Sequence, residues 1–238
     1  MADRDDDESI ERGHLMQALS GTAKSALSMI PVLAQAIAGW DAYQRSKFDR
    51  SVQDIIVMLV EKVGDLESFF GDDWLQSDEG NAFAWKVLDS AFDAQQDDKR
   101  ELFVNALVSG VKQRATPQLE KLKFVEMLRS LSRASLLVLA EMHQMYQGAV
   151  RGPGRSPSGP FPHVDATDVA QKLSDRFDPY LVTASVYELE SQGLFSKTEQ
   201  WTKHPTGNYV PQGGFLTELC YTDFAARFVE FVAPDYQR

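Results

Sequence analysis

The chain has 238 residues, 43% of them hydrophobic, enough to bury one sizeable core or two smaller ones. A net charge of −11 and a pI of about 4.8 work against a phosphate-gripping surface, which needs a local excess of Lys and Arg. The single cysteine, Cys220, excludes an internal disulfide and a multi-thiolate metal site, and fits a reducing cytoplasm.

The first stretch, MADRDDDESIER, is acidic and lacks the basic-then-apolar order of a secretory signal. Residues 1–12 read as an acidic disordered tail. The longest charge-free apolar stretch, SALSMIPVLAQAIAGW, is interrupted by Pro31 and falls short of the ~20 residues a spanning helix needs. It reads as buried helix. Its small residues also suit an interfacial segment, the basis of an alternative reading in which residues 25–40 act on a membrane.

Residues 13–130 read as a helical bundle. After a helix-like Ile10 to Met29, a long helix is expected from Val32 to Phe70. Phe48, Val52, Ile55, Ile56, Leu59, Val63 and Leu66 recur in steps of three and four and place one apolar stripe toward a core. A helix this long outreaches one small core, so it is also the expected surface for a homo-oligomer. Gly71-Asp72-Asp73 ends it. Ser77 then caps a helix with Phe83, Val87, Leu88 and Phe92 inward. Asp97 is expected to cap the next, with Leu102, Phe103, Ala106 and Leu107 inward and Gly110 near its end. Thr116-Pro117 opens a further helix with Leu122, Phe124, Val125 and Leu128.

Residues 131–238 change character. Ser132 caps a helix holding Leu136, Leu139 and Met142. Residues 148–162, GAVRGPGRSPSGPFP, are dense in Gly, Pro and Ser and read as a flexible loop. A short helix with Val169 and Leu173 follows. Asp178-Pro179 opens another, which stops at Gly193, the place for a left-handed C-cap. Leu194 to Trp201 and Phe215 to Leu219 form an expected hairpin with Lys203 to Gly213 as its tip. Thr222 caps a closing helix with Phe224, Phe228 and Phe231 on one face.

This order, with VYELESQGLF and the Leu216-Thr217 return into an aromatic helix, resembles the winged helix-turn-helix fold. The resemblance implies that the helix from Pro179 to Gln192 is the recognition helix, with Thr183, Ser185, Tyr187, Glu188 and Ser191 outward. It carries no Lys or Arg. From His163 to Arg238 six basic residues face eleven acidic ones, a poor balance for anchoring phosphates. A protein-binding or structural winged-helix-like module is expected, and a DNA-binding regulator is the alternative.

A second resemblance covers more of the chain. FAWKVLDSAFDAQQDDKRELFVNALVSGV, followed by FVEMLRSLSRASLLVLAEM, is similar to the pattern of bacterial abortive-infection alpha proteins and related helical phage-defence proteins. The matching parts are Ala94 to Arg100, Val104-Asn105-Ala106-Leu107, and Leu128 to Ser132. The resemblance implies antiviral defence but supplies no catalytic residues.

Local chemistry is sparse. His14, His143, His163 and His204 show no metal spacing and read as surface histidines. Glu141 and His143, two apart on a helix, do not share a face. Cys220 has no basic neighbour in sequence and reads as a buried, inert thiol. There is no G-x-S-x-G elbow and no phosphate loop. Asp5-Asp6-Asp7 lacks the glycine and glutamate of a calcium loop. The expectation is therefore a mainly α, non-enzymatic protein with no cofactor and no metal, working in the cytoplasm as an adaptor, sensor or assembly factor. Its partner would be another protein; nucleic acid and membrane are disfavoured. The expected partner-binding residues are Tyr187, Trp201, Lys203, His204 and Tyr209, aromatic and weakly basic positions of the kind that anchor interfaces.

Overall fold

A computed structural model describes residues 54–150, 163–164, 169, 171–197, 201–203, 209–211 and 219–233. The described chain is mainly helical and divides into two compact units, 1–122 and 123–238. Among the described residues, no helix is long and apolar enough to cross a membrane. The acidic tail and the 25–40 segment lie outside the described residues. Of the expected Gly/Pro/Ser loop, residues 148–150 are helical, which corrects its start, and 151–162 lie outside the described residues.

In the first unit, helix α1 (54–63) buries Ile55, Ile56 and Leu59, the expected stripe. The helix does not run on to Phe70, which corrects the sequence expectation. Gly64 takes a φ of +74°, a left-handed turn that suits glycine. Asp65 then starts α2 (Leu66–Phe70), its carboxylate accepting from the N–H groups of Glu67 and Ser68. A hydrophobic period sees only the repeat of apolar side chains; one backbone reversal between Val63 and Leu66 leaves that repeat intact.

Asp72 caps a one-turn helix, α3 (Asp73–Gln76), and Ser77 ends it while capping α4 (Asp78–Asp93). The Ser77 hydroxyl oxygen accepts from the Gly80 N–H at 3.1 Å, one of the donors a helix start leaves open. Helix α5 (Asp97–Lys112) starts at Gln96, which makes no side-chain cap. Asp97 is its first helical residue rather than its cap, and its carboxylate takes the Arg100 guanidinium instead, at 2.9 Å. Phe83 and Phe103 lie in the core with 0% and 1% exposure. Gly110 makes room for this packing, because a Cβ there would fall 2.6 Å from the Phe83 Cζ atom.

Helix α6 (Gln118–Ser130) contains the division between the two compact units, at Leu122/Lys123. The reason is Phe124. Its ring lies 5.3 to 5.7 Å from those of Phe224, Phe228 and Phe231, so the second half of α6 shares a core with the closing helix.

In the second unit, α7 (Arg133–Val150) is followed by β1 (His163–Val164), a helical stretch around Val169 and 171–172, α8 (Pro179–Ser191), β2 (Phe195–Lys197), β3 (Trp201–Lys203), β4 (Tyr209–Pro211), β5 (Leu219–Tyr221) and α9 (Asp223–Val232). The strands form an antiparallel sheet of order β1-β5-β2 and a separate β3-β4 ladder. The expected hairpin is found in part, since β2 pairs antiparallel with β5. The described part of the second strand is Leu219–Tyr221, residues 212–218 lie outside the described residues, and part of the expected tip, Tyr209 to Pro211, pairs as a strand. Three-residue strands hold too few alternations for a period of two to mark their ends. Thr222 caps α9 as expected, its hydroxyl oxygen accepting from the Ala225 N–H at 3.1 Å.

Candidate interaction surface

Helix α8 is fixed at both ends by its own sequence. Asp178 accepts from the Tyr180 N–H at 2.8 Å, and Pro179 occupies the first turn, where its missing N–H costs nothing. At the far end Gly193 turns left-handed, with φ +76°. The Gly193 N–H then donates to the Glu190 carbonyl at 2.8 Å and the Leu194 N–H to the Leu189 carbonyl at 3.1 Å. That pair of bonds is a Schellman closure.

Val182, Ser185, Val186 and Leu189 form the buried side of α8. The opposite side carries Tyr180 at 85% exposure, Leu181 at 44% and Tyr187 at 45%, with Ala184 and Ser191 exposed between and beyond them. Exposed large side chains gathered on one helix face, rather than scattered singly, mark a surface with a use. Tyrosine suits such a surface because its ring is apolar and its hydroxyl tolerates water.

Two residues expected to point outward do not. Ser185 is 3% exposed and belongs to the core. Glu188 reaches the start of α7. Its Oε1 accepts from the Ser132 N–H at 2.9 Å; its Oε2 accepts from the Ser132 hydroxyl at 2.9 Å and the Ser135 hydroxyl at 2.6 Å. The Ser135 N–H donates to the Ser132 hydroxyl oxygen at 3.2 Å. In a capping box, the residue three beyond the cap would return a carboxylate to the cap's N–H. Position 135 holds a serine, so Glu188 supplies that carboxylate from a different helix. Anion and helix N-terminus attract each other, and the contact fixes the rotation of α8 about its axis.

Of the expected partner residues, Tyr187 is on the exposed face of α8. Trp201 and Lys203 lie on β3 and Tyr209 on β4, where Trp201 pairs with Pro211 and Lys203 with Tyr209. Lys203 and Tyr209 are therefore direct cross-strand neighbours by register. His204 lies outside the described residues. Tyr180 and Leu181 were missed by the sequence reading. The signal was present: both stand one or two residues after a capped proline start, off the Val182-Val186-Leu189 face.

His143 is the clearest correction among the histidines. It is 1% exposed, not a surface residue. Its Nδ1 lies 2.7 Å from the Tyr221 hydroxyl and its Nε2 3.4 Å from the Gln147 amide nitrogen. A neutral imidazole has one donor and one acceptor nitrogen; the Gln147 amide nitrogen only donates, so the tautomer that joins both neighbours accepts at Nε2 and donates from Nδ1 to the Tyr221 hydroxyl oxygen. Tyr221 stacks among His143, Tyr146 and Phe195, and burial, then the nearby Tyr146 and Glu230, push its phenol well above the ordinary range. The arrangement is shut from solvent and holds α7 to β5. Glu141, two residues before His143, turns elsewhere and pairs with Lys172 at 2.8 Å. Cys220 lies in β5, opposite His163 on one side and Ser196 on the other. Among the described residues no three His, Cys, Asp or Glu side chains gather as a metal site.

Comparison of the chain with protein-family models, curated proteins and solved structures gives no match.

Proposed function

We propose that this chain is a non-enzymatic component of a bacterial phage-defence system, acting through protein–protein contacts. In this reading a helical bundle is followed by a winged-helix-like unit that carries the partner surface on α8. The observation that carries it is the solvent face of α8: Tyr180, Leu181, Ala184 and Tyr187, with no Lys or Arg anywhere on the helix. A groove-reading helix needs cations nearby to hold phosphates and outward polar groups to meet base edges. Here Ser185 is buried and Glu188 is committed to α7. The winged-helix-like reading is supported by the sheet order β1-β5-β2, with α8 falling between β1 and β2 in sequence. The defence setting rests on the resemblance of the Ala94 to Ser132 region to abortive-infection alpha proteins.

A photo-crosslinking amino acid at position 187, introduced in the native host, tests the reading. The expected result is a discrete protein adduct at α8 that survives nuclease, and loss of protection against phage when the adduct-forming face is mutated. Salt-sensitive DNA binding at low ionic strength, weakened by changes at Tyr187, would instead make α8 a DNA reader and overturn the proposal.

A further inference from the structure

We infer that the partner seated on α8 is a second copy of this chain, docked antiparallel through the same helix. This rests on the reading of α8 as a partner-binding helix and names its occupant. The centre of the exposed face runs Tyr180, Ala184, Tyr187, Ser191. Steps of four, three and four place these side chains in one row along a helix. The row alternates large, small, large, small.

Antiparallel pairing of two such rows sets Tyr187 of one protomer beside Ala184 of its partner, and Tyr180 beside Ser191. Every ring then meets a small side chain, the interdigitation that close helix packing requires. A parallel pair would set ring on ring and alanine on alanine, with gaps between. The flanks agree. Leu181 and Glu188 border the row on one side, Thr183 and Glu190 on the other. The antiparallel alignment sets Glu190 against Thr183 and Glu188 against Leu181, so no carboxylate faces a carboxylate. That matters for self-association of a chain with a net charge of −11. The face spans about 20 Å of helix, less than a standard interface provides, so the dimer is reversible and forms with rising concentration.

Sedimentation of the full chain over a concentration series tests this. The mass is expected to rise from 26.7 kDa toward twice that value. Ala184→Tyr sets ring against ring, and Tyr187→Ala sets alanine against alanine. Each is expected to weaken association by about tenfold or more, while the double variant restores large against small and recovers to within about threefold of the parent. Circular dichroism melts establish that each variant is folded. A monomer at all concentrations, or a double variant no better than either single one, overturns the second copy as partner. If the crosslinker at position 187 then captures a different protein, the partner-surface reading stands and this inference alone falls. If it captures nothing, both fall.

Discussion

Each unit ties a charged side chain to the end of a helix, and the two do it with opposite signs. In the first, Lys121 points into the core, 2% exposed, and its ammonium donates to the Gly110 carbonyl at 2.7 Å. Gly110 is in the last turn of α5, where carbonyls lack partners within the helix and carry the negative end of the dipole. The same ammonium sits 4.1 Å from the centre of the Trp74 ring, so an aromatic face replaces part of its lost water. In the second unit, Glu188 brings a carboxylate to the N-terminus of α7 and meets donors of the positive end. The Lys121 contact is sheathed in the core; the Glu188 contact lies near the surface, edged by water. A helix end can thus hold a neighbouring helix in register, but the cost of doing so depends on how much water is removed.

The largest effect should follow from cutting the Glu188 tie. Glu188→Ala removes the acceptor of three donors at once and is expected to lower stability by about 2–3 kcal/mol. Glu188→Gln keeps the shape and one set of acceptor lone pairs and should lose about half as much. Urea unfolding of both variants measures this. Equal losses for the two would mean that packing, not the carboxylate, holds the α7 start. The comparison would break if Glu188→Ala cost nothing, since the tie would then be decoration on a junction held by Val182, Val186 and Leu189.

A neutral contact in the second unit gives the next effect. His143→Phe leaves the buried Tyr221 hydroxyl without its imidazole and is expected to cost about 1–3 kcal/mol. Removing that hydroxyl as well, in the double variant with Tyr221→Phe, should restore part of the loss, because a missing pair costs less than half a pair. Thermal melts of the cycle check it. Strict additivity would show that the 2.7 Å contact contributes no coupling.

Local signals were legible in the sequence where one short stretch carried the whole cause. Ser77, Ser132, Asp178, Gly193 and Thr222 stand at the helix ends expected of them, because a cap needs its own side chain and the next turn. The apolar faces of α4, α5 and α9 were legible for the same reason. Groups whose partners come from distant sequence were not. Glu188 read as an outward residue of a recognition helix, since nothing nearby announces two serines more than fifty residues upstream. His143 read as a surface histidine because Tyr221 is 78 residues away. Lys121 drew no attention, though Gly110 and Trp74 make it a core residue. The candidate surface was half legible: Tyr187 was expected there, while Tyr180 and Leu181 emerged only once the buried side of α8 was fixed.

The smallest effect, and the one whose sign is least obvious, concerns Lys121. Desolvation pulls its pKa below the ordinary lysine value of 10.5; Glu79 opposes the shift and Arg114 adds to it. A lysine whose pKa is lower in the folded state holds its proton less well there than in the unfolded chain. The unfolded state therefore binds more protons between the lowered pKa and 10.5, and stability rises with pH across that window. Below it the penalty for the buried charge is present in full. At neutral pH the bond to Gly110 and the Trp74 ring offset that penalty, so Lys121→Met, similar in shape and uncharged, should lie within about 1 kcal/mol of the parent. Between neutral pH and a pH close to 10.5 the parent should gain stability relative to the variant, because only the parent has a buried ammonium that gives up its proton more readily than in the unfolded chain. Paired urea titrations at the two pH values give the difference directly. A parent that loses ground to the variant as pH rises would mean the ammonium is better placed against the α5 carboxyl end than in water. The two units would then share one rule: a charge at a helix end stabilises wherever it is put.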